Sequence, residues 1–461
     1  MTKTIDKEAR NGLIVICVAA FLVPFMGSSL NLALPEIGSV FSMKAVALTW
    51  MALAYMISTA IFQIPFARMA DIWGRKKIFL LGILIFSVCT FLCGFAPNSK
   101  ILIALRFLSG VGGAMTSGTN IAILTSLFPA KKRGKALGIN SAVVYASLAA
   151  GPFLGGLLTH YMGWQSIFFT SAGVGFVVLI LSRLFLRGEW IESRGEKFDL
   201  LGSILYGIGL AGVIYGFSKL PHIFGIICLT GGILSFILFI FYEKQHTSPV
   251  FNVRLFTGNK VFTLSTLAAL INYAATSAIA FMLSLYLQYI RGLDARHAGI
   301  ILISQACVQS VFSLIAGNLS MRFDSSKLAT LGMLIIVVGL SGLIFLDITT
   351  PYYFLIILLI LLGIGFGIFS SPNTNVIMGS VDKKHYNQAS ATTGTMRQTG
   401  MAFSMGIAGM AISFKVGNEI ITPELYPAFM QSMRLTFIIF VILCILGVYA
   451  SSARMKNNKR S

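Results

Sequence analysis

Acidic residues are scarce in this chain: 15 Asp and Glu stand against 35 Lys and Arg in 461 residues, a formal net charge of +20. All charged residues together make up 11% of the sequence, where a soluble domain carries about a quarter. With 56% hydrophobic residues and a mean hydropathy of +0.85, this excludes a soluble core with a charged shell and describes a polytopic membrane protein. The basic excess does not describe a nucleic-acid binder, because it forms short clusters between apolar runs and no long stripe. Cysteine is also sparse. All six (Cys17, Cys89, Cys93, Cys228, Cys307, Cys444) fall inside apolar runs with no partner set for a metal, so they read as packing residues, and no metal or cofactor is expected. There is no phosphate-binding glycine loop, no paired catalytic carboxylate within a span and no nucleophile–base constellation, so an enzyme is not expected. The polar start MTKTIDKEAR runs straight into an apolar span and does not resemble a cleaved signal peptide.

A spanning helix needs about 20 mostly apolar residues. Fourteen runs qualify, starting near residues 11, 45, 78, 100, 134, 165, 200, 222, 260, 297, 328, 351, 387 and 428, with short connections. An all-α protein of fourteen spans is therefore expected. With the N-terminus inside, 26 of the 35 Lys and Arg fall in inner segments and 7 in outer ones, while Arg106 and Arg397 lie within spans. That split predicts both termini in the cytoplasm of a cell-membrane protein.

Mid-span carboxylates and histidines are missing altogether. The 15 acidic residues and His160, His222, His246, His297 and His385 fall in loops or at span ends, so no buried group with the usual chemistry of a proton carrier is expected. What the spans do contain is neutral polar residues: Ser28, Asn31, Tyr55, Gln63, Asn120, Asn140, Tyr145, Asn272, Tyr273, Gln305 and Gln309. Singly, each reads best as an interhelical hydrogen bond; as a set they predict a polar-lined path. Arg106 lies about 9 Å in from the outer end of its span, with Gly110, Gly113, Ser117 and Asn120 on the same face. A buried charge costs at least ~2.5 kcal/mol, so Arg106 is expected to face a wet cavity, the alternative being an arginine that caps carbonyls. Arg397, about 20 Å in, reads equally as ligand or tether.

The loop FARMADIWGRKKIFLLG from Phe66 and the loop AGNLSMRFDSSKLATLG from Ala316 align at a shift of 250, pairing Lys77 with Lys327, Leu81 with Leu331 and Gly82 with Gly332. Each follows the second helix of a six-span set. This predicts a six-helix bundle over 1–190, an inserted two-helix hairpin with its flanking loops over 191–250, and a second bundle over 251–461, as in transporters with a site between two repeats.

The motifs resemble those of the major facilitator superfamily, in its fourteen-span drug:proton antiporter branch, over nearly the whole chain. ARMADIWGRKK resembles the family signature G-x-L-A-D-R-x-G-R-K through Asp71, Gly74, Arg75 and Lys76. RFLSGVGGAM resembles its fourth-helix motif through Arg106, Gly110 and Gly112. SLAAGPFLGG resembles the antiporter motif of the fifth helix through Gly151, Pro152, Gly155 and Gly156. TMRQTGMAFSMGIA and SPVFNVRLF are typical of the branch. The first helix departs from it: aligned on Asn31 and Pro35, the usual aspartate is Met26 and the threonine is Ser28.

The resemblance implies a conformational latch at Asp71, accepting bonds from the next helix's N-terminus or from a basic residue such as Arg133 in the outward-facing state. It implies that the fifth helix seals the halves and is associated with export, and that the chain works as a monomer. The expected function is a secondary exporter of amphipathic small molecules. A transporter or flippase for an anionic metabolite or lipid-like molecule is the alternative, and a non-transporting membrane sensor a third class. Protons are the branch's coupling ion. With Met26 in place of the aspartate, a proton is left with Asp71, an end-of-span carboxylate or a carboxylate on the substrate.

Overall fold

A computed structural model describes residues 2–220, 222–246, 248–251, 256, 258–320, 322–381 and 386–458. Among the residues used above, Arg254, Asp382, Lys383, Lys384, His385, Lys459 and Arg460 lie outside the described residues, as do the side chains of Lys3, Asp6, Lys7, Glu8, Lys131, Lys132, Lys135 and Lys456.

The architecture is all-helical. Helices α1 (Thr2–Val40), α2 (Ala45–Trp73), α3 (Arg75–Cys93), α4 (Ser99–Leu127), α5 (Ala130–Met162) and α6 (Gln165–Phe185) form a first set. Next come α7 (Leu200–Ser218) and α8 (Ile223–Gln245). The second set is α9a (Lys260–Ala274), α9b (Ile279–Leu285), α10 (Ala295–Leu319), α11 (Ser325–Leu343), α12 (Tyr352–Gly379), α13 (Tyr386–Lys415) and α14 (Tyr426–Asn458). Without water to satisfy backbone groups, a chain this apolar must close its hydrogen bonds within each segment, which is why every run becomes a helix. Asn98, Asp199, Asn259, Asp294 and Asp324 each cap a helix start by accepting a backbone N–H.

Thirteen described segments are long and apolar enough to cross a membrane, α9a and α9b together forming one of them. The remaining run, the thirteenth in the sequence, is α13, 30 residues long but carrying Thr392, Thr393, Thr395, Arg397, Gln398 and Thr399 in place of apolar residues. The ninth span is broken: α9a stops at Ala274, α9b resumes at Ile279, and a π-helical turn follows at Tyr286–Ile290. The Ala278 N–H at the break donates to Ser404 Oγ of α13 at 2.9 Å.

Both chain ends lie on one face, here the terminal face. Gly12 near the start of α1 packs on Leu127 and Leu186. Arg454 near the end of α14 donates to the carbonyl of Ser326 at the start of α11. Arg454, read from sequence as an inner basic residue, is instead fully buried and joins four helices through Ser265, Asn373, Ser326 and Ser451.

The repeat in sequence recurs in packing. A side chain at Gly110 of α4 would strike the Tyr55 carbonyl and Ser58 of α2; one at Gly363 of α12 would strike the Gln305 carbonyl and Val308 of α10, both 250 residues further on. Gly82 abuts Gly112 across α3 and α4, as Gly332 abuts Gly365 across α11 and α12. Small residues at these crossings let the backbones touch.

Candidate functional site

A cavity of about 1400 Å³ lies between the two sets. Its walls come from the terminal-face ends of α4, α10 and α12, the starts of α5 and α13, and the segment after α6. Apolar residues make up much of them, and hydroxyls prevail among the uncharged polar ones: Thr125, Ser126, Ser141, Ser310, Ser313, Ser371, Thr374 and Ser390. Arg75, Arg133, Glu189 and Glu192 add charge at the terminal-face end. Toward the membrane centre the wall includes Tyr145 of α5, whose hydroxyl is hydrogen-bonded to Ser370 of α12. Tyr273 and Arg397 of the second set stand within electrostatic reach of the same tyrosine. Three sequence candidates, each from a different helix, are therefore electrostatically linked at Tyr145.

On the far face the two sets are sealed. Ser284 Oγ of α9b donates to the Asn31 carbonyl at 2.6 Å, Gln288 to Leu32 at 3.2 Å and Tyr289 to Pro35 at 3.4 Å. Alongside, α5 crosses α10 at glycines: a side chain at Gly156 would lie 2.5 Å from the Ala295 carbonyl, and one at Gly299 2.5 Å from the Pro152 carbonyl. Asp294 joins His297 at 2.7 Å and His160 of α5 at 3.5 Å, and Arg296 donates to Tyr161 at 3.0 Å. The antiporter-motif residues thus work in two directions. Gly151 and Gly155 receive Ser28 and Ser29 of α1, while Pro152 and Gly156 meet α10.

Several sequence candidates lie in helix seams and not in the cavity. Ser28 turns to α5 and bonds back to the Pro24 carbonyl at 2.9 Å. Met26 is fully buried. Asn120 tethers α4 to the Ile16 carbonyl of α1 at 3.2 Å. Gln63 faces Gly394 of α13. Asn31, Asn140 and Asn272 are buried, each with an unpartnered side-chain oxygen, and Asn272 sits beside the break in the ninth span. Gln305 and Gln309 lie half-buried along the α10–α12 crossing. Arg106 is not in the wall of this cavity: it is 1% exposed, its guanidinium lies 4.5 Å over the Tyr55 ring, and its Nε donates to the Met51 carbonyl at 3.3 Å. The face that carries Gly110 and Gly113 packs directly on α2, and Arg106 Nη1 and the Tyr55 hydroxyl are buried without a hydrogen-bond partner.

The latch at Asp71 is expected of the outward-facing state; with the cavity open on the terminal face, other groups hold the signature loop. Asp71 accepts from Arg75 Nε at 2.8 Å, one turn on, and not from Arg133, which donates to the Phe128 carbonyl. The α3 N-terminus is taken by Glu189, which accepts from the N–H groups of Lys76 at 2.7 Å and Lys77 at 3.2 Å. Glu192 pairs with Arg75, and Glu196 with Arg68. The Asp71 carbonyl accepts from the Glu192 and Ser193 N–H groups. A segment after α6 with three glutamates therefore clasps the loop from its own set, and helix-start and cation partners are already occupied. Gly74, at φ +117°, makes the sharp turn, and any side chain there would strike Glu189 at 2.5 Å.

One expectation is overturned. Asp199 and Glu243, at the terminal-face ends of α7 and α8, are 4% and 3% exposed, so buried carboxylates do exist in this protein. Burial at a helix end depends on what covers it, which span positions do not reveal.

The family model of the Major Facilitator Superfamily matches residues 16–242, 198–403 and 265–458. The chain is 28% identical over 396 residues to the riboflavin transporter RibZ of Clostridioides difficile, covering 86% of each. It is 26% identical to the methylenomycin A resistance protein of Bacillus subtilis, covering 87% of each, and 30% identical to the cephamycin export protein CmcT of Amycolatopsis lactamdurans, covering 87% of this chain and 84% of that one. A bacterial homologue of the human lysosomal transporter Spinster, solved inward-facing and unoccupied, superimposes with a TM-score of 0.69 at 18% identity, covering 97% of this chain and 98% of that one. Matched along almost its whole length, the chain belongs to the Major Facilitator Superfamily.

Proposed function

We propose that this protein is a secondary exporter of amphipathic small molecules that works by alternating access. The observation that carries the reading is the 1400 Å³ cavity between two repeated helix sets, open on the terminal face and sealed on the far face. Its walls of hydroxyls and apolar residues, with Tyr145, suit solutes with both polar and apolar surface. The names of relatives that export or resist antibiotics agree with this reading. The lysine and arginine split puts the terminal face in the cytoplasm of a cell membrane, so substrate enters the cavity from inside. Residues 1–190 and 251–461 act as the two rocking bundles and 191–250 as an inserted hairpin. The cavity lies within a single chain, so one copy suffices.

A transporter of anionic metabolites is the second reading, favoured by Arg75 and Arg133 in the cavity wall and Arg397 near Tyr145. The two separate in liposomes containing purified protein, offered cationic, neutral and anionic amphiphiles with and without a pH gradient. Export predicts gradient-driven flux of a cationic dye. Flux confined to anions would replace the first reading by the second.

A further inference from the structure

The hairpin of α7 and α8 ends in a feature that the cavity does not use. Asp199 caps α7, accepting from the Gly202 N–H at 2.8 Å through Oδ1, and Tyr242 donates to the same oxygen at 3.2 Å. Glu243, in the last turn of α8, accepts from the Val250 N–H at 3.2 Å through Oε1. Both carboxylates crowd the one position where a Gly202 side chain would begin, Glu243 Oε1 at 2.8 Å from it, so they sit side by side. Asp199 Oδ2 and Glu243 Oε2 are both buried without a hydrogen-bond partner.

The surrounding charges offset them only in part. His246 Nδ1, 3.8 Å from Asp199 Oδ2, is at ion-pair distance from that carboxylate alone and carries charge only when its imidazole is protonated. Arg68 of α2 acts on Glu243 only through space, since its guanidinium is engaged by Glu196 and Ser193. Lys244, next in sequence, is exposed. No other charged side chain is recorded against the pair among the described residues. The negative end of the α8 dipole disfavours charge on Glu243, while the positive end of α7 favours it on Asp199. Two adjacent buried carboxylates cannot both carry charge without a cation, and a protonated one becomes a donor to the other.

We propose that Asp199 and Glu243 form a proton-binding site, holding one shared proton, whose release frees the linker that joins the hairpin to the second helix set. The link is direct: Glu243 holds the Val250 N–H, and the next residue, Phe251, walls an apolar crevice of about 380 Å³ bounded by α2, α7, α8, α9a and α13. Loss of the proton leaves two like charges in contact; Glu243 is then driven from Asp199, and Val250 loses its acceptor. The protonated form fits the fold, so the linker loosens as pH rises and not as it falls.

The site itself is tested on the purified full-length chain by infrared titration, independent of any transport reading. The wild type should show the C=O band of a protonated carboxyl at neutral pH that disappears in alkali. Glu243→Gln keeps the oxygen that accepts from Val250 and should lose this band with unchanged helical circular dichroism; Asp199→Asn, which keeps the cap, should lose or shift it. An identical band in both variants, or none in the wild type, overturns the site. Its consequence rests on the exporter reading. In liposomes, raising the pH equally on both sides, so that no gradient drives transport, should change downhill dye flux in the wild type and leave Glu243→Gln flat. Equal pH responses in the two proteins would remove the linker role. If the wild type moves no probe, the exporter reading falls and the infrared result alone decides the proton site.

Discussion

The two faces of the molecule are held by different chemistry. The far face is closed between the sets mainly by uncharged contacts, side chains of α9b and the π-helical turn donating to α1 carbonyls and glycines letting α5 touch α10, with Asp294–His160 and Arg296–Tyr161 at its exposed edge. The terminal face is open, and its charged residues are bonded within the first set, glutamates 189, 192 and 196 clasping Arg68, Arg75 and the α3 N-terminus. Neutral, short-range contacts hold tightly but release all at once when backbones separate. Ion pairs at a wet rim are weak but can exchange partners. A transporter that must open one face while closing the other can use the first as its seal and the second as its switch.

The largest expected effect breaks the seal. Gly156→Leu puts a side chain against the Ala295 carbonyl, where overpacking costs about 1–3 kcal/mol, on the order of tenfold to a hundredfold in the balance between states. Spin labels on the far-face ends of α5 and α10 should report a longer distance, and flux should fall with it. Next, Arg75→Ala leaves Asp71 and Glu192 without their shared cation and should slow flux on the order of tenfold. Asp71→Asn should likewise impair transport while membrane insertion is kept. Glu192→Gln, whose side chain is 58% exposed, should cost under about 1 kcal/mol. If Glu192→Gln proved worse than Arg75→Ala, the clasp and not the Asp71 pair would be the switch. Ser284→Ala removes one buried neutral bond of the seal, about 0.5–1.5 kcal/mol, and should lengthen the same label distance in about twofold to tenfold more molecules.

The smallest effect is at Asp294. Partial desolvation pushes its carboxyl up, but hydrogen bonds from His297 and the charges of His297 and His160 hold it below the usual carboxylate range. Its contribution is therefore complete above the ordinary value of about 3.9 and is lost only as pH falls through the lower one. Asp294→Asn should loosen the far face slightly at neutral pH, and acid should add nothing further in that variant.

The spans were legible because a lipid environment forces long apolar runs into helices, and the repeat was legible because glycines at crossings must keep their spacing. The break in the ninth span was not: Ala275–Ala278 contains no proline or glycine, and its free N–H finds Ser404 only in three dimensions. Tyr145, Tyr273 and Arg397 were found as polar residues out of place in a span. The serine and threonine walls were missed because such hydroxyls bond back to their own helix, as Ser310 does to Ala306, and look the same in a seam as in a cavity. The closest available signal is the spacing of Ser310, Ser313 and Gly317 along one face of α10. The burial of Arg454 and of the Asp199–Glu243 pair was not legible for one reason: sequence position gives depth along a helix but not what packs over its end.

The central claim is that the hydroxyl-lined cavity is the substrate path, and filling it is the most direct test. Ser313 lines the cavity beside Tyr145, within reach of its hydroxyl. Initial dye flux is measured in liposomes for Ser313→Trp against the wild type, at equal amounts of folded protein. Loss of flux is predicted, since indole occupies the space beside Tyr145. Undiminished flux would show that substrate travels elsewhere.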